Sequence, residues 1–502
     1  MDSSLPAPAS ADGPATNPGP RELLDAMTGL RADVAAAAGR WLAARGGARS
    51  DPRLANLAHY MALRRRDLRP LQRRLMRFGL SSLGRLEGRV IPTLDAVTAA
   101  LSALAGLPSP ASAALDDGDA FFRGEARLAA ETDALFGPPR AARRGRIMVT
   151  LPGTAATDPA MVRDLVQRGM DVARINCAHD DADTWRAIVA HARAAGDEAG
   201  RHVSVLMDVA GPKIRIEAVV PARKARVQPG DAVRLLASGV PAATPEMPFC
   251  AVVSLPAIVE RICVGDRVRY DDGKMEGVVE RTAPGEAVIR ITRTKPGGAR
   301  LKPEKGLNLP DTDLDLSPLT QKDEGDLAAV VACADMVGYS FVSRPEDIDL
   351  LEAAIARHGE GAKRLGIVAK IEQPRAVRNL PDLIARVLAT GRPFGVMIAR
   401  GDLAAEIGFE RTAEMQEEIL WICEAASVPA IWATQVLEDL VKDGLPSRGE
   451  MTDAAMAARA ECVMLNKGPH VAEAVTLLDG MLARMDEHMF KKTPTLRALK
   501  SW

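Results

Sequence analysis

The residues LGIVAKIEQ (365–373), FGVMIARGDLAAEIG (394–408) and PAIWATQ (429–435) decide the reading of this 502-residue chain. Each begins as an apolar, β-branched-rich run, the pattern of a buried parallel strand. Each then turns polar: Lys370 and Glu372, Arg400 and Asp402, Thr434 and Gln435. A buried charge is unfavourable unless it is paired or metal-bound, so three strands ending in polar groups point to one shared site. Glu372 and Asp402 offer hard oxygen ligands to Mg²⁺ or Mn²⁺, and Mg²⁺ keeps positions for water and substrate oxygens. Lys370 can neutralise charge on a transferring group, and Thr434 can donate to an oxyanion. Ordinary strand-end salt bridges would explain any one of these residues. The whole set in this order suits metal-assisted chemistry on an anionic substrate.

Working outward, further strand patterns are RIMVTL (146–151), VARINC (172–177), HVSVLMD (202–208), MVGYSF (336–341) and CVMLN (462–466). Helical patterns such as DPAMVRDLVQRGM (158–170) and PEDIDLLEAAIARHG (345–359) separate most of them. Such alternation predicts an α/β fold, a TIM (β/α)8 barrel with its active site at the strand carboxyl ends. Thr150, Arg174, Asn176, Asp208, Lys370, Glu372, Asp402 and Thr434 all fall there. Between Asp208 and Met336 lie short β patterns broken by Gly-Asp, Asp-Gly and Pro-Gly turns. They predict a small antiparallel β barrel inserted as a lid over residues 214–309, with the TIM barrel at 141–213 and 310–490.

With 47% hydrophobic residues, the chain can bury a large core and form two or three domains. A formal net charge of −1 gives no global argument for nucleic acid or an acidic membrane. Cys177, Cys250, Cys263, Cys333, Cys423 and Cys462 lie far apart with no CxxC, as expected in a reducing, cytoplasmic compartment. No apolar run of about 18 residues occurs, so no membrane span is expected.

Residues 1–20 read as a disordered tail and 491–502 as a basic tail. Residues 21–140 read as an all-α extension of about four helices, broken by Gly and Pro at 46–52, 79–84 and 105–110. Within it, LRRRDLRPLQRRLMRF (63–78) reads as a solvated face paired with acids. The sharper reading is a docking surface for a polyanion, an acidic partner or a nucleotide's phosphates. No aromatic ladder accompanies the arginines, which disfavours single-stranded nucleic acid.

AKIE (369–372), ARGDLAAEI (399–407) and ATQVL (433–437), in this order and spacing, closely resemble the substrate and metal motifs of the pyruvate kinase family. The resemblance runs from about Arg146 to Leu482 and includes GDRVRYDDGK and KPEKGLNLP of the lid. It implies transfer of the phosphoryl group of phosphoenolpyruvate to ADP, or another nucleoside diphosphate, giving pyruvate and ATP in glycolysis. By the same resemblance Lys370 is the catalytic lysine, Glu372 and Asp402 bind the divalent metal, and Thr434 is the hydroxyl near the substrate. DVARINCAHD supplies Arg174, Asn176 and a nucleotide-side His179; MDVAGPKIRIE supplies Asp208 and an active-site Arg215. Lys305 matches a nucleotide-phosphate lysine, Thr150 lies on the nucleotide side, and the backbone of Ala399, Arg400, Gly401 and Asp402 is expected to bind the substrate carboxylate at a helix start.

Departures from the family pattern carry their own expectations. Asn176 and Asp208 of the monovalent-cation site remain, but Ala178 and Val209 replace its hydroxyl residues, and Lys213 stands where K⁺-requiring members carry a glutamate. K⁺ is therefore expected not to be required. Leu151–Ala155 and Asn466-Lys467-Gly468-Pro469-His470 replace the usual mouth loops, which opens the choice of nucleotide or acceptor. The family's C-terminal regulatory domain is not expected here, and a homodimer through barrel surfaces is the oligomer expected. Two other readings stay open: a Mg²⁺-dependent lyase or aldolase acting on a pyruvate enolate, and a regulatory protein with a vestigial site.

Overall fold

The computed structural model describes residues 19–45, 51–108, 118–220, 225–271, 273–312, 314–359, 362 and 364–494. Of the tails expected from sequence, 1–18 and 495–502 lie outside the described residues. The chain forms two compact units that divide between Gly124 and Glu125.

The first unit is helical: α1 (Pro20–Ala43), α2 (Pro52–Arg64), α3 (Arg69–Met76), α4 (Val90–Leu104) and the first turns of α5 (Gly118–Phe136). Leu23, Met27, Leu30, Val34, Ala38 and Leu42 recur every three or four residues along α1 and are all buried. Asp51 starts α2 by accepting the Arg53 backbone N–H at 2.8 Å. In the arginine-rich stretch, Arg66 pairs with Asp33 at 3.0 Å, Arg69 with Asp67 at 2.7 Å and Arg74 with Glu22 at 3.2 Å. These pairs match the solvated-face reading, and exposed pairs of this kind are screened by solvent and add little stability.

In the second unit, eight parallel strands close a barrel: β1 (Arg146–Thr150), β2 (Val172–Asn176), β3 (Ser204–Val209), β11 (Met336–Tyr339), β12 (Gly366–Ile371), β13 (Phe394–Ala399), β14 (Ala430–Ala433) and β15 (Cys462–Leu465). Their order is β1-β15-β14-β13-β12-β11-β3-β2. Around them run α6 (Pro159–Arg168), α7 (Ala182–Glu198), α8 (Gln321–Cys333), α9 (Pro345–Ala356), α10 (Pro374–Leu388), α11 (Arg400–Ile407), α12 (Phe409–Ala425), α13 (Glu438–Asp443), α14 (Arg448–Ala457) and α15 (Val471–His488). Met148, Val172, Leu206, Met336, Val368, Met397, Ile431 and Met464 pack in the interior with Leu135 and Phe136 from the end of α5. Gly366 and Gly395 let that plug approach: a Cβ on either would stand 2.8 and 2.5 Å from a Leu135 methyl. The last turns of α5, placed in the extension by sequence, thus pack in the barrel core.

Between β3 and β11 lies the inserted lid, a seven-stranded sheet in the order β10-β7-β8-β9-β5-β6-β4. Its strands are β4 (Ile216–Val220), β5 (Ala232–Leu236), β6 (Phe249–Val253), β7 (Arg267–Tyr270), β8 (Met275–Ala283), β9 (Glu286–Thr294) and β10 (Leu307–Asn308). Backbone bonds from Ile216 N to Lys305 O (2.9 Å) and Leu307 N to Ile214 O (3.0 Å) bring its two edges together into a nearly closed barrel. Neighbours are antiparallel except β5 and β6, which run parallel. In FGVMIARGDLAAEIG the helix start expected at Ala399–Asp402 is present: the strand stops at Ala399 and α11 starts at Arg400 with no loop between, where the run changes from Val and Ile to Leu, Ala and Glu.

Candidate active site

Seven barrel strands bring side chains at or just past their carboxyl ends to one charged cluster. Lys370, near the end of β12, places Nζ 2.9 Å from Glu372 Oε1 and 3.3 Å from Asp208 Oδ1, and donates to Ser340 Oγ at 2.7 Å. Burial alone would lower the lysine's pKa, but Asp208 and Glu372 outweigh it and hold the ammonium above its ordinary value. Asp208, at the end of β3, also receives the Arg174 guanidinium of β2, with Nε at 3.1 Å. Burial pushes this carboxyl up; Lys370 and Arg174 prevail and keep it below the usual aspartate range. Arg174 turns its remaining arm to Thr150 Oγ1 on β1 at 2.9 Å. Gly338 on β11 makes room for this arrangement, since a Cβ there would stand 2.9 Å from Asp208 Oδ1.

Glu372 accepts the Phe341 backbone N–H at Oε2, 2.8 Å. Its carboxyl is raised, first by burial and then by the negative charge of Asp402, against the opposing pull of Lys370. Asp402 sits in the first turn of α11 and takes the Lys213 ammonium at 2.8 Å. Thr434 follows β14 with φ +65°, a left-handed conformation rare for a β-branched residue. That strained turn aims its Oγ1 at the Gly401 N–H, which it accepts at 2.8 Å. The Arg400 side chain points away from the cluster: it donates to Ala433 O at 3.0 Å and Thr434 O at 2.6 Å, pairs with Asp453 and lies over the Trp432 ring. Arg400 therefore braces the Thr434 turn from behind.

A profile for the pyruvate kinase barrel domain matches residues 142–473. The pyruvate kinase of Mycobacterium tuberculosis is 31% identical over 359 residues, covering 70% of this chain and 72% of that protein. The chain belongs to the pyruvate kinase family. The pyruvate kinase of Methylorubrum extorquens is 33% identical over 327 residues, 64% of each chain, and human pyruvate kinase PKLR is 31% identical over 383 residues, 72% of this chain and 64% of that one.

Against the pyruvate kinase pattern, the structure gathers Thr150, Arg174, Asp208, Lys370 and Glu372 into one network of contacts. Asn176 closes β2 and His179 lies just past it; the Asn176 side chain accepts the Ala178 N–H at 3.1 Å. Arg215 stands apart at the root of the lid, donating to Glu304 O at 2.8 Å. Lys305 pairs within the lid with Asp271 at 3.1 Å. The sequence reading placed Lys213 in the cation site beside Asn176 and Asp208. The structure puts its ammonium on Asp402, and Arg174 and Lys370 neutralise Asp208. Sequence reasoning missed Ser340 and the Phe341 N–H as partners of Lys370 and Glu372. The signal was available in MVGYSF, whose hydroxyl follows directly on a buried strand. In the replaced mouth loop the His470 ring lies against Gly444, where an added Cβ would meet it at 3.1 Å.

Proposed function

We propose that this pyruvate kinase family member moves the phosphoryl group of phosphoenolpyruvate to ADP, forming pyruvate and ATP, with the residues above in the following roles. The observation that carries the reading is the buried Lys370 ammonium, held charged between Asp208 and Glu372 with the Arg174 guanidinium alongside. Two fixed cations that share one carboxylate, Asp208, suit a group that carries several negative charges in flight. The bond from phosphorus to the enol oxygen breaks, and a terminal phosphate oxygen of ADP bonds to the phosphorus. The enolate carbon then takes one proton to become the methyl group of pyruvate.

Thr434 accepts from the Gly401 N–H, so its own O–H proton stays available. We assign that hydroxyl, or a water it holds, the delivery of the proton. Substrate carboxylate at the start of α11 would take over the Gly401 N–H and release Thr434 toward the enolate. Thr150, Asn176, His179 and Lys305 would face the nucleotide, and Arg215 would reach the site from the lid root.

Glu372 and Asp402 fit a divalent ion. They are two hard carboxylates, and the negative charge of Asp402 helps raise the Glu372 carboxyl, a repulsion that a cation between them would relieve. Two protein oxygens of this kind, with the other positions left to water and substrate, are the usual habit of Mg²⁺. Mg²⁺ or Mn²⁺ bound there would supply charge neutralisation at the enol oxygen. K⁺ would not be required, since Arg174 and Lys370 already neutralise Asp208 and two hydroxyl ligands are replaced by Ala178 and Val209.

No helix among the described residues is long and apolar enough to cross a membrane. All six cysteines are free, which supports a cytoplasmic setting. A homodimer is our oligomeric assignment, checked by light scattering.

The test is a coupled assay for pyruvate from phosphoenolpyruvate and ADP with Mg²⁺, with K⁺ present or replaced by tetramethylammonium. Turnover is expected in both, differing by less than about twofold. No pyruvate in either would overturn the phosphotransfer reading; a strong K⁺ requirement would overturn only the cation argument.

A further inference from the structure

A cavity of about 540 Å³ is bounded by the lid's return segment, the loop after β11 and the start of α10. Small-molecule sites usually measure about 300–1,000 Å³. One wall is apolar, formed by Leu309, Leu314 and Leu316. Arg375 and Arg378, at the beginning of α10, also line the cavity.

Charge in this cavity is unevenly compensated. Asp311 is tied to Arg267 at 2.7 Å, Asp315 to Arg344, and Glu406 accepts from Asn308 Nδ2 at 2.9 Å. Arg378 has no acidic partner among the described residues and is exposed to the opening. The helix end beneath the two arginines adds to the same sign. The Gln373 side chain makes no capping bond, and no acidic residue occupies the first turn of α10. Peptide N–H groups and the positive end of the helix dipole therefore face the space that the guanidinium groups line. Basic side chains at a helix N-terminus are unfavourable by themselves and become favourable when an anion sits between them.

We propose that this cavity binds a small organic anion, its phosphate or carboxylate group read by Arg375 and Arg378 and its apolar body against the leucine wall. The site is separate from the catalytic cluster but touches it. Phe341 lines the cavity, and its backbone N–H holds Glu372; Asn308, on the lid's last strand, joins the same wall to α11 through Glu406.

The experiment is titration calorimetry in the Lys370→Met background, where phosphate binding at the catalytic lysine is removed and turnover plays no part. The probes are phenyl phosphate, benzoate and inorganic phosphate. Phenyl phosphate or benzoate is expected to bind at one site, more tightly than inorganic phosphate. Adding Arg375→Ala and Arg378→Ala should weaken that binding at least about tenfold, the scale of a lost guanidinium–oxyanion contact. Leu316→Glu, in the apolar part of the lining, should weaken it as well. No binding by either organic probe, or binding unchanged by the double arginine substitution, would overturn the proposal. Because the readout is binding alone, a failed pyruvate assay would leave this result standing, and the reverse.

Discussion

Two aspartates at opposite ends of the barrel, Asp171 and Asp208, are each 1% exposed, yet their surroundings differ in kind. Asp171, at the amino end, takes Arg143 at 2.7 Å, the Ile147 N–H at 2.8 Å, Arg140 at 3.4 Å and Arg201. Those partners are themselves tied down: Arg143 also donates to Gly169 O at 2.6 Å and Asp479 at 2.7 Å. With Leu135 and Phe136 plugging the same end, the network is closed and reads as stability. Asp208 shares its cations instead. Lys370 is divided among Asp208, Glu372 and Ser340, and Arg174 between Asp208 and Thr150. Around it the backbone is strained, with φ +65° at Thr434 and +58° at Phe341. Equal burial thus serves two ends: charge that is saturated holds the barrel together, and charge that is shared can be redirected to a substrate.

The largest effect that would sharpen this contrast comes from Lys370→Met. Loss of an electrostatic stabiliser of the transition state should lower kcat by about a thousandfold, measured on the folded protein by pyruvate release. Asp171→Asn is the opposite experiment. Leaving buried arginines without their carboxylate should reduce stability by about 3–5 kcal/mol in denaturant unfolding. Its kcat should stay within about twofold of wild type. A large loss of kcat with normal stability in Asp171→Asn would break the comparison.

A smaller effect concerns Glu406, which joins the lid to α11 through Asn308. Burial, and secondarily the charge of Asp402, push its carboxyl up to about 7 against the Asn308 hydrogen bond. An unfolded glutamate titrates near 4.3, so between those values the folded chain binds the extra proton. Its contribution is fully present below that window and is lost as pH rises through it. Glu406→Gln should therefore flatten the fall in Tm between pH 5 and 8, leaving the variant less pH-sensitive than wild type. An identical pH slope in both proteins would contradict this assignment.

Much of this architecture can be read directly from the chain. Runs such as GIVAKI and FGVMIA announce buried strands, and the polar residues closing them announce the site, because strand direction puts them on one face. Partner choice could not be read in the same way. Lys213 and Asp402 lie 189 residues apart and meet only in the folded chain. Likewise Leu135 and Phe136 look like any helical apolar pair. Nothing local says that they stop a barrel, although Gly366 and Gly395 are the gaps they require. Arg400 was legible as a site residue by position alone; its brace on Thr434 depends on Asp453 and Trp432, which no spacing rule connects to it.

The central claim is phosphoryl transfer at the Lys370 cluster, and ³¹P NMR of phosphoenolpyruvate, ADP and Mg²⁺ with the purified protein tests it most directly. The account requires the phosphoenolpyruvate resonance to disappear and the γ-phosphate of ATP to grow with wild-type protein, and neither change with Lys370→Met on the same timescale. Equal ATP formation by Lys370→Met, or none by the folded wild type, would contradict it.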